Sequence, residues 1–204
     1  MPPKRLWTLV ERGFQPERLN HYETLFTIGN GYLGTRGTFE EGHAGEIAST
    51  LVHGVFDHAA GMLVPELANT ANWLPIHITV DGTPLKLVHD RADNLTPAHG
   101  ALLGYERALH LDTAVLERAL LFRAASGAIV RVVFERFASL DDVHVLAQRV
   151  RITAVDGSPE ISVRFLLASD ARNGSVSHWT SQMSNLHAPH MVGVERVTGQ
   201  SGYR

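Results

Sequence analysis

The chain has 204 residues with 44% hydrophobic and 19% charged side chains, a globular balance that suits one all-β domain or two small ones. A domain of this size buries roughly 70% of the surface its unfolded chain exposes, so it needs no disulfide or metal staple. The net charge of -3 supplies no long-range field for nucleic acid or an anionic membrane, and the lack of cysteine excludes a disulfide framework, a thiolate nucleophile and cysteine-based metal sites.

Met1 to Arg12 starts basic but has no apolar core of about seven residues, so no signal peptide is expected. No run approaches the ~20 apolar residues of a bilayer span. With no cysteine and no leader, a cytoplasmic protein is expected. The segment from Asn20 to Gly61 is glycine-rich and irregular. Within it, Gly29-Asn30-Gly31-Tyr32-Leu33-Gly34 spells G-x-G-x-x-G. That fingerprint needs a strand turning into a helix whose N-terminus holds a pyrophosphate. Here Thr35-Arg36-Gly37-Thr38-Phe39 follows with no amphipathic helix and no βαβ unit, so dinucleotide binding is not expected. The glycines serve bulged or left-handed backbone instead.

Further along, Trp73 stands just before a strand. An indole there either stacks on a sugar ring or plugs a sandwich end or an interface; the second use is the commoner. Asp81-Gly82 between Ile76–Val80 and Leu85–Val88 predicts a hairpin. Val88 to Leu103 reads as a loop. Ala108 to Ala125 contains helix formers, yet Thr113, Val115, Glu117, Ala119 and Leu121 fit a strand between two others, and a strand is expected. Ser126-Gly127 separates Leu116–Ala124 from Ile129–Phe137, where Val130, Val132, Phe134 and Arg136 share one face. Val143, Val145 and Ala147 alternate as a strand would, and Asp156-Gly157-Ser158-Pro159 separates Leu146–Ala154 from Glu160–Ala168. Long strands with short turns predict an antiparallel meander in a large sandwich. The polar tail after Ala168 ends without an obvious final element. A single β-sandwich domain over residues 1–204, stopping short of its natural boundary, is therefore expected.

Little in the chain carries chemistry of its own. Glu40-Glu41 is a carboxylate pair in sequence, but neighbours on a strand point to opposite faces, so the two cannot flank one glycosidic bond. They read as solvated or loop-capping acids. His53, Asp57 and His58 come within six residues, and His187 and His190 are three apart. Without a third or fourth ligand at metal spacing they read as surface or hydrogen-bonded histidines. No catalytic residue, metal ligand or cofactor is assigned.

Three segments together resemble the N-terminal domain of glycoside hydrolase family 65, which includes maltose, trehalose and kojibiose phosphorylases. They are His21 through Glu41, Leu51-Val52-His53-Gly54-Val55-Phe56-Asp57, and Glu66 through Pro75 running into Val80-Asp81-Gly82. Arg136 through Asp142 adds weaker similarity, and the match covers roughly residues 5 to 170. The resemblance implies an antiparallel β-super-sandwich of the galactose-mutarotase-like kind that precedes and packs against an (α/α)₆ barrel. The barrel holds the family's general acid, so no catalytic residue transfers to this chain.

The resulting expectation is a non-catalytic domain that supports the barrel, lines the entrance to a cleft for α-linked glucosides and aids homodimer formation. Functional loops sit on rigid scaffolds, which singles out Asn30, Tyr32, Arg36 and Glu40 as residues facing the barrel. For Arg36 the blander reading is an Arg–Glu pair within its own loop. A stand-alone carbohydrate-binding module, with Trp73 and Tyr32 as stacking platforms, is the alternative. A sugar epimerase using a His/Glu pair in a concave pocket is the third reading. No nucleic-acid or membrane partner is expected.

Overall fold

The computed structural model describes residues 7–58, 63–87, 100–182 and 195–198. The chain opens with β1 (Thr8–Arg12), a 3-10 turn at Pro16–Arg18 and the helix α1 (Leu19–Leu25). Seven residues are too few to hold a helix alone in water. Packing holds α1 instead, because Leu19, Glu23 and the following Phe26 are all buried. Three short strands, β2 (Ile28–Gly29), β3 (Leu33–Thr35) and β4 (Thr50–Val52), form an antiparallel sheet beside it. β5 (Phe56–Asp57) then pairs with β6 (Glu66–Leu67). The glycine-rich stretch expected to be irregular is thus partly ordered.

β7 (Ile76–Val80) and β8 (Thr83–Pro84) form the predicted hairpin. Asp81 and Gly82 both have positive φ, 48° and 73°, the twist that matches flanking strands in a two-residue turn. β9 (Ala101–His110), β10 (Val115–Arg123), β11 (Ile129–Ala138) and β12 (Leu146–Asp156) are a meander, and β1 joins its far side to give the order β1-β9-β10-β11-β12. β13 (Ile161–Phe165) leaves that sheet and pairs with β7 in a second one, ordered β13-β7-β8. β14 (Trp179–Gln182) and β15 (Glu195–Thr198) form a separate pair.

The two larger sheets face each other across one apolar cluster. Ile76, Ile78, Val80 and Leu85 meet Leu120, Phe122, Val130, Val132 and Phe134. Side chains alternate across each strand, so one face of every inner strand supplies these residues. Each such buried side chain contributes about 1.5–3 kcal/mol relative to exposure. The all-β antiparallel sandwich read from the alternation is the observed architecture.

Four local expectations change. Ala108 to Ala125 is not one strand, because Leu111–Ala114 turn the chain between β9 and β10. Thr113 lies in that turn, and Ala114 adopts φ 54°. Val143 and Val145 precede β12 in a turn closed by Ser139 N to Val145 O at 3.0 Å. The Asp156–Pro159 turn links two sheets and is not a hairpin within the meander. Ala101 to Leu103, expected as loop, begins β9, while residues 88–99 lie outside the described residues.

Candidate functional site

The core-facing side of the five-stranded sheet carries a row of charges. Glu11 pairs with Arg107 and Arg107 with Arg118 across β1, β9 and β10, so the three share a face. Arg136 lies on the same face of β11, two residues from Phe134, the cross-strand partner of Arg118. All four are at most 3% exposed.

The loop from Gly37 to Glu41 closes over this row. Arg107 donates from Nε to Glu11 Oε2 at 2.8 Å and from Nη1 to Gly37 O at 2.7 Å. Arg136 donates from Nη2 to Thr38 O at 2.9 Å. Arg118 donates from Nη2 to Glu40 Oε2 at 2.5 Å and from Nη1 to Glu41 Oε1 at 2.7 Å, and its Nη2 also reaches Glu41 Oε2. The Arg118 guanidinium carbon stands 4.3 Å from the Phe39 ring centroid and 4.6 Å from that of Phe134. Gly37 makes the closure possible, since a Cβ there would sit 2.7 Å from Phe26 Cβ and 2.9 Å from the Phe26 backbone.

Burial pushes the Glu40 carboxyl up, but the Arg118 and Arg136 charges outweigh it and hold the group below the usual carboxylate range. Burial also pulls Arg136 down to about 10, which leaves it charged at neutral pH. The space among Thr38, Glu40, Arg107, Leu116, Arg118 and Arg136 admits no water-sized sphere. A carboxylate sealed there against two guanidinium groups has no access to substrate or proton and cannot act as an acid or base.

A second cluster ties α1 to the loop after it. Glu23 accepts from Ile47 N at 3.2 Å and from Arg36 Nη2 at 3.5 Å, and its Oε1 stands 2.8 Å from His43 Nε2. His43 Nδ1 faces Ala44 O at 2.9 Å. A carbonyl only accepts, so Nδ1 donates, and the carboxylate at Nε2 favours the protonated ring. The Glu23 bond accordingly raises the His43 pKa against the opposing effect of burial. A third cluster places His178 between Asp57 and Glu66, with Nδ1 to Asp57 Oδ2 at 3.3 Å and Nε2 to Glu66 Oε1 at 2.8 Å.

Three open grooves lie among the described residues. One, of about 380 Å³, is lined by Glu46, Asn69, Asn72, Asp170 and Arg172 among others. Another, of about 270 Å³, runs over Val115, Phe137 and Arg149 on the outer side of the large sheet. The third, of about 350 Å³, has a floor of Gly29, Gly31 and Gly34 with Tyr32, Leu51 and His53 around it. None of these three is lined by His43 or His178.

The five residues singled out in the sequence scatter. Tyr32 lines the glycine-floored groove, half-buried, with its ring edge-on to His144 at 4.7 Å. Asn30 is spent inside the fold: Nδ2 donates to Ser139 O at 2.6 Å and Val143 O at 2.9 Å, and Oδ1 accepts from Tyr32 N and Leu33 N. Glu40, expected to face the barrel, is instead buried in the charge row against Arg118 and Arg136. Arg36 pairs with Glu23 on α1, not with a glutamate of its own loop. Trp73 is half-buried and its indole N–H is turned inward, with no acceptor among the described residues. The reading of Glu40 and Glu41 as opposed and solvated also fails. They lie in a turn, not a strand, and both reach Arg118.

Arg107, Arg118, Glu11, Glu23, His43 and His178 were missed. Arg118 had a signal, because it alternates with Leu116, Leu120 and Phe122 on an inward face. Among the described residues no group of three or more histidine, aspartate and glutamate side chains is arranged to hold a metal. His187 and His190 lie outside the described residues.

The model of the family described as "Glycosyl hydrolase family 65, N-terminal domain" matches residues 9–204. The chain belongs to this family. A kojibiose phosphorylase of Thermoanaerobacter brockii is 32% identical over 171 residues, covering 84% of this chain and 21% of that protein. An α,α-trehalose phosphorylase of the same organism is 29% identical over 187 residues, covering 84% of this chain and 22% of that protein. The chain thus spans about a fifth of the length of these curated relatives. A solved structure of a kojibiose phosphorylase candidate from the human microbiome superposes with a TM-score of 0.74 at 20% identity, over 86% of this chain and 23% of that one, and shares the fold. Within this family 65 domain, the segment His21–Glu41 builds α1, β2, β3 and the loop over Arg118. No helix among the described residues is long and apolar enough to cross a membrane.

Proposed function

We propose that this chain, behaving as one domain, is the non-catalytic N-terminal part of an enzyme that cleaves α-linked glucosides, and that it carries a helical (α/α)₆ catalytic barrel. One observation supports this above the others. Hydrolysis of a glycosidic bond uses two carboxyl groups roughly 5–10 Å apart across a substrate. The adjacent carboxylates of this chain, Glu40 and Glu41, converge instead on one buried guanidinium. Tyr32 is then the residue best placed to meet the barrel or the cleft entrance. Homodimer formation belongs to the same reading and is checked by light scattering of the complete enzyme.

The test is an assay of the purified chain with kojibiose or α,α-trehalose, with and without inorganic phosphate. The expected result is no glucose and no glucose phosphate above the buffer rate. Turnover by the isolated chain would sink the proposal.

Sugar binding by the domain itself is a second reading, favoured by the half-buried Tyr32 ring beside a glycine floor. Flat sugar faces match aromatic rings. Calorimetry at millimolar maltose, trehalose and kojibiose should give a saturable signal that Tyr32→Ala abolishes. A flat titration counts against it.

A further inference from the structure

Asn69 stands where three stretches of chain meet, and it is buried. Its side chain is spent on their backbones. Oδ1 accepts from Thr50 N at 2.8 Å, and Nδ2 donates to Ala48 O at 2.9 Å and to Arg172 O at 3.0 Å. Asn69 N donates to Asn173 Oδ1 at 2.8 Å. The bridge between Asn72 and Ala168, with N–H···O bonds of 2.8 and 2.9 Å, ties two of these stretches a second time. The groove of about 380 Å³ lies between them. Its walls are fixed before anything enters, which lowers the cost of binding.

These bonds leave the groove's polar side chains unspent. Asp170 and Arg172 are exposed, and neither side chain has a hydrogen bond or ion pair among the described residues. Asn72 Oδ1 accepts from Leu74 N at 3.1 Å, while its Nδ2 has no acceptor among the described residues. Glu46 accepts from His43 N through Oε2 and has Oε1 to spare. The groove therefore offers donors, Asn72 and Arg172, beside acceptors, Asp170 and Glu46. Ile47, Pro75 and Ala168 add apolar lining between them.

A few convergent polar groups on an apolar lining, in a space of roughly 300–1,000 Å³, are the marks of a small-molecule site. The charges narrow the ligand. Two carboxyl groups against one guanidinium disfavour an anion. Among the described residues no three histidine or acidic side chains are arranged to hold a metal. What fits is a neutral molecule whose rim both donates and accepts and whose faces are C–H surface. A sugar ring has that build.

We propose that this groove binds a single neutral hexose. It shares no lining residue with the groove at Tyr32, so it is a second and separate site. Asp170 and Arg172 bond sugar hydroxyls from one stretch of chain, and Glu46 and Asn72 from the other two. The proposal does not depend on where the catalytic groups of the enzyme lie.

The experiment titrates the isotope-labelled 204-residue chain with D-glucose and follows backbone amide shifts by NMR. The expected result is a saturable millimolar response confined to residues 46–48, 72–74 and 168–174, which Tyr32→Ala leaves intact. Sorbitol, an open-chain polyol with the same number of carbons, should bind more weakly. The double variant Asp170→Ala, Arg172→Ala should bind glucose at least tenfold more weakly. Both side chains are exposed and the wall bond uses the Arg172 carbonyl, so the variant should melt with the parent, as circular dichroism checks. Absence of shifts at millimolar glucose overturns the proposal, as does unchanged binding by the double variant. Shifts at residues 27–34 and 51–53 that Tyr32→Ala removes assign the sugar to the other groove and also overturn it. A response to calcium chloride without one to glucose makes the groove a cation site, and an equal response to sorbitol denies recognition of the ring. None of these outcomes touches the reading of the chain as a non-catalytic domain, which the turnover assay decides.

Discussion

Replacing Arg118 by methionine tests whether the charge row is a structural unit. Methionine keeps most of the apolar stem against Phe39 and Phe134 but removes the cation that Glu40 and Glu41 share. Breaking a buried ion pair from one side leaves an uncompensated charge and costs about 3–5 kcal/mol. Arg136 Nη1, 3.5 Å from Glu40 Oε1, is the remaining partner, so the effect stays within that range. For a chain of this length about 1 kcal/mol shifts Tm by roughly 2–4 °C, which predicts a drop of about 6–20 °C. The pH dependence is a second signature. Glu40 is depressed below its ordinary value of 4.5 in the fold, so its contribution is present above that value and is lost as pH falls through the folded pKa. With Arg118 gone the depression shrinks, and the variant has less to lose in acid. Melts followed by circular dichroism should therefore show a gap between parent and variant that is constant at higher pH and narrows as pH falls below 4.5. A gap under about 2 °C that ignores pH would refute the reasoning.

Three further outcomes follow from local geometry. Gly37→Ala forces a methyl into the Phe26 backbone and should lower stability by about 1–3 kcal/mol in urea titrations. Asn30→Ala removes four hydrogen bonds, two that tie the β2–β3 turn to Ser139 O and Val143 O and two that close the turn itself. At roughly 1 kcal/mol each and partial solvent rescue, about 2–3 kcal/mol is expected by the same method. His43→Gln should be most harmful between about pH 4.5 and 6.5, where Glu23 is ionised and His43 protonated. His43 is raised above its ordinary value of 6.5, so its contribution is complete below that pH and is lost as pH rises through the folded pKa. Thermal melts across that span and above it should show the difference closing only as pH rises past 6.5.

Much of the sandwich was written in plain period-two alternation. β10, β11 and β7 alternate cleanly, and Asp81-Gly82 carries the one turn type its φ angles require. What escaped depends on partners distant in sequence. α1 is seven residues long and exists because Phe26 and Glu23 are buried by the loop beyond it, which no local propensity encodes. β13 looks like the next strand of the meander, and only its pairing with β7 sends it to the other sheet. At the candidate site, Arg136 was already on the inward face with Val130, Val132 and Phe134. Its partners, Thr38 and Glu40, lie about a hundred residues away along the chain and could not be read from spacing. Tyr32 was the candidate whose surroundings leave it available, because the turn around it needs Asn30 and not the phenol.

Why a sandwich core should hold three arginines and three glutamates is a question of registry more than of stability. Buried ion pairs rarely outdo well-packed apolar residues of the same volume. Here, however, each of three neighbouring strands grips a different part of the same loop: β9 through Arg107 on Gly37 O, β11 through Arg136 on Thr38 O, and β10 through Arg118 on Glu40 and Glu41. A slip of one residue in the loop would strand charges in a space too small for water, so one alignment is selected. Removing both sides together, as Arg118→Met, Arg136→Leu, Glu40→Leu and Glu41→Leu, should restore much of the stability that Arg118→Met alone loses. Backbone amides of residues 37–41 should nevertheless exchange faster, because nothing polar then holds the loop in place. Unchanged exchange in that loop would show that packing on Phe26 and Phe39 sets its position, and the registry argument would fall.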